Sequence, residues 1–230
     1  MTLRTPLPAP LRLSDFRLIA FDMDSTLIDL ETVDALAEIA GCGAEVAALT
    51  EAAMRGEIAD YKTSLRERVA LLRGLPLAAL QTVYDRLHLS PGAETLIATC
   101  QRAGLRVILL SGGFTFFTDR LRDRLKLDDT RSNVLEIEDG KLTGRMLAQP
   151  WGEVCDGEAK KDKLLECCRA LGIGPAQAIA VGDGANDLPM LGAAGLSVAY
   201  HAKPAVRAQA MVTIDEGGLD RLLALFEDLR

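Results

Sequence analysis

Three short apolar runs constrain this chain more than any other feature: residues 17–21 ("RLIAF"), 105–110 ("LRVILL") and 177–181 ("QAIAV"). Each is followed at once by a polar or glycine-rich turn, respectively "DMD", "SGG" and "GDGAND". A strand with aliphatic side chains on both faces must be covered on both faces, which is the situation of a buried parallel sheet. Parallel strands need crossover connections, and helical patterns lie between the runs. "SPGAETLIATCQRAG" opens on Ser-Pro and stops at Gly104, and "EAKKDKLLECCRALG" stops at Gly172. "GLSVAY" and "AMVTI" read as further strands, and "NVLEIEDGKLTGRML" puts Asp139-Gly140 between two strand-like halves, as a hairpin does. The expected fold class is α/β, a Rossmann-like parallel-sheet core with a β-hairpin.

Residues 30–90 break this rhythm. Four helix-like segments follow one another without a strand, interrupted at 41–43, Gly56 and 74–76. A chain of 230 residues is long enough for one core and an insertion. We therefore expect a helical cap at 30–90, a core built from 16–29 and 91–230, and a loose, proline-bearing lead-in at 1–15. In the segment 62–73, Leu65, Val69 and Leu72 share one helical face; at about 100° per residue, Arg68 lies at its edge while Arg66 and Glu67 point away.

Composition narrows the function. A net charge of −7 leaves no basic surplus for nucleic acid or anionic membrane, though it allows a small phosphorylated metabolite. No run approaches 18 apolar residues and the first 15 lack a signal-peptide core, so a cytoplasmic protein is expected. Five cysteines, an odd number without paired CxxC spacing, read as reduced thiols, and two histidines in unrelated stretches give little basis for a zinc site.

The first apolar run ends in "FDMDSTLIDLE", which crowds Asp22, Asp24, Asp29 and Glu31 into eleven positions. Like charges this close repel, and partial burial adds a desolvation cost, so the cluster points to a bound cation or a specialised reaction. Asp22 and Asp24 project to one side if strand geometry persists between them. Oxygen donors suit Mg²⁺, which commonly bridges carboxylates and a substrate phosphate, and "GDGAND" can add Asp183 or Asp187. An aspartate here can also attack phosphorus, provided that positive or hydrogen-bonding groups such as Ser111, the Gly112 backbone and a lysine converge on the phosphoryl oxygens.

Taken in order, "FDMDSTL", "SGGF" and "GDGAND" resemble the first, second and fourth motifs of the haloacid dehalogenase superfamily. The helical insertion, "AMRGEIADYKTSLRERVALLRGLP" and "LSVAYHAKP" are similar to its phosphoserine-hydrolysing members, and the likeness covers nearly all of the chain after residue 15. The resemblance implies that Asp22 is the nucleophile and Asp24 the general acid and base. It implies Mg²⁺ on Asp22, the Asp24 carbonyl and Asp183, and a phosphoryl group held by Ser111, Gly112 and Lys160. Asn186 and Asp187 complete their loop, and Gly113 supports the second motif. Glu31 maps onto the substrate ammonium and Arg68 onto its carboxylate, with Met54 and Tyr61 along the wall. The implied reaction is hydrolysis of O-phospho-L-serine, the last step of serine synthesis, by a monomer or homodimer. Two departures stand out: "MLAQPWGEVCDGEA" is a longer link than usual, and Tyr61 replaces a common phenylalanine.

Two rivals follow. A relative with the same core acts on another small phosphomonoester or passes the phosphoryl group to an alcohol such as homoserine. A receiver-type signalling module also joins acids, Mg²⁺ and a phosphorylated aspartate, but places that aspartate after a later strand in a chain roughly half as long.

Overall fold

The computed structural model describes residues 1–3, 10–54, 57, 58 and 60–229, the side chain of Met54 excepted. Its strands are β1 (Thr2–Leu3), β2 (Leu18–Phe21), β3 (Arg106–Phe114), β4 (Asp129–Glu138), β5 (Lys141–Leu147), β6 (Ala178–Gly182), β7 (Leu196–Tyr200) and β8 (Val212–Ile214). The helices are α1 (Thr32–Ala40), α2 (Gly43–Met54), α3 (Tyr61–Leu71), α4 (Leu77–Arg86), α5 (Ala93–Arg102), α6 (Thr115–Leu125), α7 (Gly157–Ala170), α8 (Leu188–Ala193) and α9 (Pro204–Arg207).

The sheet runs in the order β1-β8-β7-β6-β2-β3-β4-β5, parallel from β8 to β4 and antiparallel at both edges. β2 shows why the apolar runs are unbroken. Ile19 and Phe21 enter the core on one face, Leu18 and Ala20 the core on the other, and all four are buried. From β2 the chain crosses to β3 on one side and later returns to β6 on the other, so the carboxyl end of β2 lies at a topological switch point.

The four helices α1–α4 occupy residues 32–86, and in α3 Leu65 and Val69 are buried, as is Leu72 just past its end, with Arg66 and Glu67 exposed and Arg68 half-buried. Asp60 starts α3 by accepting the Thr63 N–H at 2.8 Å. The chain segments that enter and leave this helical stretch pair with each other: Ile28 bridges Leu89 antiparallel, and Ser90 N–H donates to Leu27 O at 2.9 Å. The hairpin of β4 and β5 turns at Asp139 (φ 49°) and Gly140 (φ 74°), the positive pair that a two-residue turn requires. It braces the helices, with Gly74 N–H donating to Leu142 O at 2.8 Å.

Two expectations need correction. β3 does not end at Leu110 but continues through Ser111, Gly112 and Gly113 to Phe114, across a register shift against β4. Two adjacent glycines argue against a strand by propensity, yet the pairs with β4 on either side, Leu110 with Arg131 and Phe114 with Asn133, carry the strand across them as a bulge. Nor are residues 1–15 uniformly loose. Thr2 and Leu3 pair with the open edge of β8, while Leu13 is fully buried and donates its N–H to Asp228 Oδ1 at 2.8 Å. Residues 4–9, within the proline-bearing stretch, lie outside the described residues.

Candidate active site

The carboxyl ends of β2, β3 and β6 meet the start of α7, and there the buried side chains of Asp22, Ser111, Lys160, Asp183 and Asp187 collect. Lys160, on the second turn of α7, has a fully buried side chain whose Nζ donates to Asp22 Oδ1 at 2.6 Å and to Asp187 Oδ1 at 2.7 Å. Burial alone would lower its pKa, but the carboxylates of Asp187 and Asp22 outweigh it and hold the ammonium above the ordinary lysine value. Burial, then Asp187, push the Asp22 carboxyl well above the usual range against the pull of Lys160.

Asp22, Asp183 and Asp187 each bring a carboxylate oxygen within 4.8 Å of the others. Three carboxylates around one ammonium leave a buried surplus of negative charge, and burial with Asp187 raises Asp183 to about 6. The donors are all oxygen, which fits a hard divalent cation and makes the cluster a candidate metal site. Asp187 is already fully engaged: Oδ1 takes Lys160, while Oδ2 accepts the N–H groups of Asp183 (3.1 Å) and Gly184 (3.0 Å). Among the described residues Asp183 accepts a side-chain hydrogen bond on Oδ1 alone, from Thr26 Oγ1 at 3.0 Å. Asp22 and Asp183 are therefore the better-placed ligands, with Asp187 bracing lysine and loop.

Asp24 is half-buried in the turn after β2. Its Oδ1 accepts Thr32 N–H at 2.9 Å and its Oδ2 accepts the Thr32 hydroxyl at 3.3 Å. Burial, then nearby Glu31, raise its pKa to about 7, against the hydrogen bonds from Thr32. The turn is made possible by Ser25 in the left-handed region (φ 55°), whose hydroxyl donates to Glu31 Oε1 at 2.7 Å.

Ser111 is fully buried, and its Oγ accepts Gly113 N–H at 2.8 Å. A Cβ on Gly113 would lie 3.0 Å from both Asp24 Oδ2 and Ser111 Oγ, so Gly113 is where these two groups come together. A Cβ on Gly112 would collide with the Tyr61 hydroxyl, which places the first residue of α3 over the second motif. Burial raises the Tyr61 phenol above its ordinary value. Arg68 stays along its own helix, Nε donating to Ser64 O at 3.3 Å, and Glu31 is exposed. Asn186 is half-buried with its side-chain oxygen against Gly184. The Met54 side chain, expected on the wall, lies outside the described residues.

The structure thus draws Asp22, Lys160, Asp183 and Asp187 into one cluster, with Asp24, Ser111 and Gly113 beside it, and leaves Glu31 and Arg68 farther out. Sequence reasoning gave no role to Thr26, Thr32 or Asn133. Thr26 had a signal in its place two residues after Asp24; Thr32 and Asn133 had none, because their partners are brought to them by the fold. Two cavities, of about 330 and 200 Å³, lie elsewhere, the first between Arg66, Arg145 and Glu153, the second beside Phe114, Phe116 and Ile137.

A site of this make-up at a switch point defines a class, and comparison with known proteins agrees. The sequence profile of the haloacid dehalogenase-like hydrolases matches residues 19–192, and the chain belongs to that family. Within it, the chain is 69% identical over 216 residues to the phosphoserine phosphatase of Polaromonas sp. (strain JS666), covering 94% of this chain and 92% of that one. It is 64% identical to the phosphoserine phosphatase of Albidiferax ferrireducens, over 95% and 92% of the two chains. A solved structure of a phosphoserine phosphatase with an analogue of its phospho-aspartyl intermediate superposes with a TM-score of 0.84 at 37% identity, covering 92% of this chain and 99% of that one.

Proposed function

We propose that this protein is a Mg²⁺-dependent hydrolase of O-phospho-L-serine that works through an aspartyl-phosphate on Asp22. The observation that carries the reading is the buried Asp22–Lys160 contact beside Asp183 and Asp187, a carboxylate held at the switch point with cationic help already in place. The similarity to phosphoserine phosphatases over nearly the whole length of both chains supports the substrate.

In this reading an Asp22 oxygen attacks phosphorus, the bond from phosphorus to the seryl oxygen breaks, and Asp24 gives that oxygen a proton. Water then attacks the phosphoryl group on Asp22, Asp24 takes up the proton, and the bond to Asp22 breaks. A carboxyl near pKa 7 suits both directions of transfer. Asp22, Asp183 and the Asp24 carbonyl would hold Mg²⁺, which neutralises phosphoryl charge. Ser111, Gly112, Lys160 and Asn186 hold the phosphoryl oxygens, with Gly113 and Asp187 in support. Glu31 meets the substrate ammonium and Arg68 its carboxylate, while Met54 and Tyr61 line the wall. Residues 30–90 serve as a cap over a core of 16–29 and 91–230. We also take the enzyme to be cytoplasmic, monomeric or homodimeric, and to engage neither lipid nor nucleic acid, a reading whose support is the net charge of −7. Among the described residues no helix is long and apolar enough to cross a membrane.

The test is a substrate panel with and without Mg²⁺. Phosphate release from phosphoserine should far exceed that from phosphothreonine or sugar phosphates, depend on Mg²⁺, and vanish in Asp22→Asn. Comparable rates across the panel would remove the substrate claim, and transfer of phosphate to an added alcohol such as homoserine would favour a phosphotransferase.

A further inference from the structure

The second motif has an unusual backbone. β3 pairs with β4 at Leu110 opposite Arg131 and next at Phe114 opposite Asn133, so Ser111, Gly112 and Gly113 together face Ser132 alone. A bulge of this kind takes peptide groups out of the ladder, and a buried carbonyl so released needs another donor. Asn133, 1% exposed, supplies it: Nδ2 donates to Gly112 O at 2.8 Å, while Oδ1 accepts Cys155 N–H at 2.8 Å. The second bond fixes the orientation of the amide, since Cys155 N–H can only be met by the oxygen end.

Each bond reaches toward the reacting groups. In a trans peptide the carbonyl and the following N–H point in opposite directions, so drawing Gly112 O to Asn133 sends Gly113 N–H the other way, onto Ser111 Oγ at 2.8 Å. A hydroxyl whose oxygen is engaged as an acceptor is left to donate its proton elsewhere. Cys155 immediately precedes Asp156, which starts α7 by accepting Ala159 N–H at 2.9 Å, and α7 carries Lys160 to Asp22.

We propose that Asn133 is a positioning residue that sets the Ser111 hydroxyl and the Lys160 ammonium at fixed places relative to Asp22. One amide joins the bulge of β3 to the start of α7, two elements that otherwise approach Asp22 from different parts of the chain. The proposal rests on the reading that Ser111, Gly112 and Lys160 hold the phosphoryl group. It also gives a task to the long link before α7, whose end it anchors.

The test is a double-mutant cycle. Asn133→Asp keeps shape and acceptor but, when ionised, loses the donor; Asn133→Ser is the smaller replacement that carries the test if a buried carboxylate prevents folding. Each is made alone and with Ser111→Ala, and kcat/KM on phosphoserine and inhibition by orthophosphate are measured. A displaced reacting group costs up to about 10²-fold. We expect each Asn133 variant to lose on the order of 10- to 100-fold in kcat/KM and to bind orthophosphate more weakly. The part of that loss that runs through Ser111 should disappear when Ser111 is already alanine, because those two residues act as a unit, while the part that runs through Lys160 remains. Losses that simply multiply with Ser111→Ala, or unchanged orthophosphate inhibition, would overturn the positioning role. If Ser111→Ala itself leaves turnover and orthophosphate inhibition intact, the phosphoryl-site reading fails first, and the role of Asn133 falls with it.

Discussion

Lys160 shows how much one side chain can decide. Its ammonium is fully buried between Asp22 and Asp187, so removing it leaves two buried carboxyl groups without the cation they share. Breaking a buried pair from one side typically costs about 3–5 kcal/mol, whereas exposed pairs contribute about 1 kcal/mol or less. Lys160→Met should therefore lower the denaturation midpoint of the metal-free protein strongly, and Lys161→Ala, which loses only an exposed pair with Glu158, should barely move it. Equal shifts in chemical denaturation would show that the buried cluster is not under electrostatic tension. The carboxyl of Asp24 is a second case, since its elevation to about 7 has burial as its first cause and Glu31 as its second. Glu31→Gln should move the pKa of Asp24, followed by carbon-13 NMR of the labelled carboxyl, to lower pH.

At the level of elements, the site is an agreement between a strand and a helix that are distant in sequence. Gly112 in β3 leaves room for the Tyr61 hydroxyl at the start of α3, and any Cβ there meets the phenol. Gly112→Ala should raise KM for phosphoserine by about tenfold or more by pushing α3 away, and Tyr61→Phe should recover part of the loss by removing the oxygen that collides. If Tyr61→Phe gives no recovery, the contact is not the cause. Asp29, without a role in the sequence reading, links the two segments that join helices and core. Its N–H donates to His88 O at 3.1 Å and its Oδ1 accepts His88 N–H at 3.3 Å. Polar contacts from α3 to the link before α7 add to this junction, Lys62 reaching Asp156 at 3.1 Å and Arg66 pairing with Glu153. The exposed position of Arg66 and Glu153 makes that pair weak, and the junction rests instead on the apolar cluster that the helices share with the core.

For the whole molecule, the gathering of acids makes stability depend on protons or cations. Asp24 is raised to about 7 and Asp183 to about 6, so the folded chain binds more protons than the unfolded chain between their ordinary values near 3.8 and those pKa values. Stability of the metal-free protein should accordingly fall as pH rises through that window. Thermal melts in chelator from pH 5 to pH 8 should show this slope, and Asp24→Asn should reduce it. A Mg²⁺ ion that binds the folded site should flatten it by replacing the protons. A midpoint that climbs with pH in chelator would contradict the cluster's electrostatics.

The parallel core and the helical run of 32–86 were legible because burial on two faces and helical periodicity are local patterns that the chain repeats. The expectation that Arg68 turns inward while Arg66 and Glu67 turn out follows from the same periodicity. The extension of β3 through Ser111-Gly112-Gly113 was not legible, since propensity argues against a strand there and the flanking pairs with β4 and the Asn133 amide hold it. Nor was the burial of Leu13, whose partners come from the other end of the chain. By itself the sequence determined the ordered set of acids, the class of chemistry they can perform and the strands that carry them, because residue type and spacing set those. Only the tertiary structure decided that the Lys160 ammonium is buried between Asp22 and Asp187, that both oxygens of Asp187 are taken up by Lys160 and its own loop, and that Asn133 and Thr32 bond to groups of the site. Those outcomes depend on hydrogen bonds across up to 138 positions of chain, and contacts of that range exist only once the sheet has brought the strand ends together.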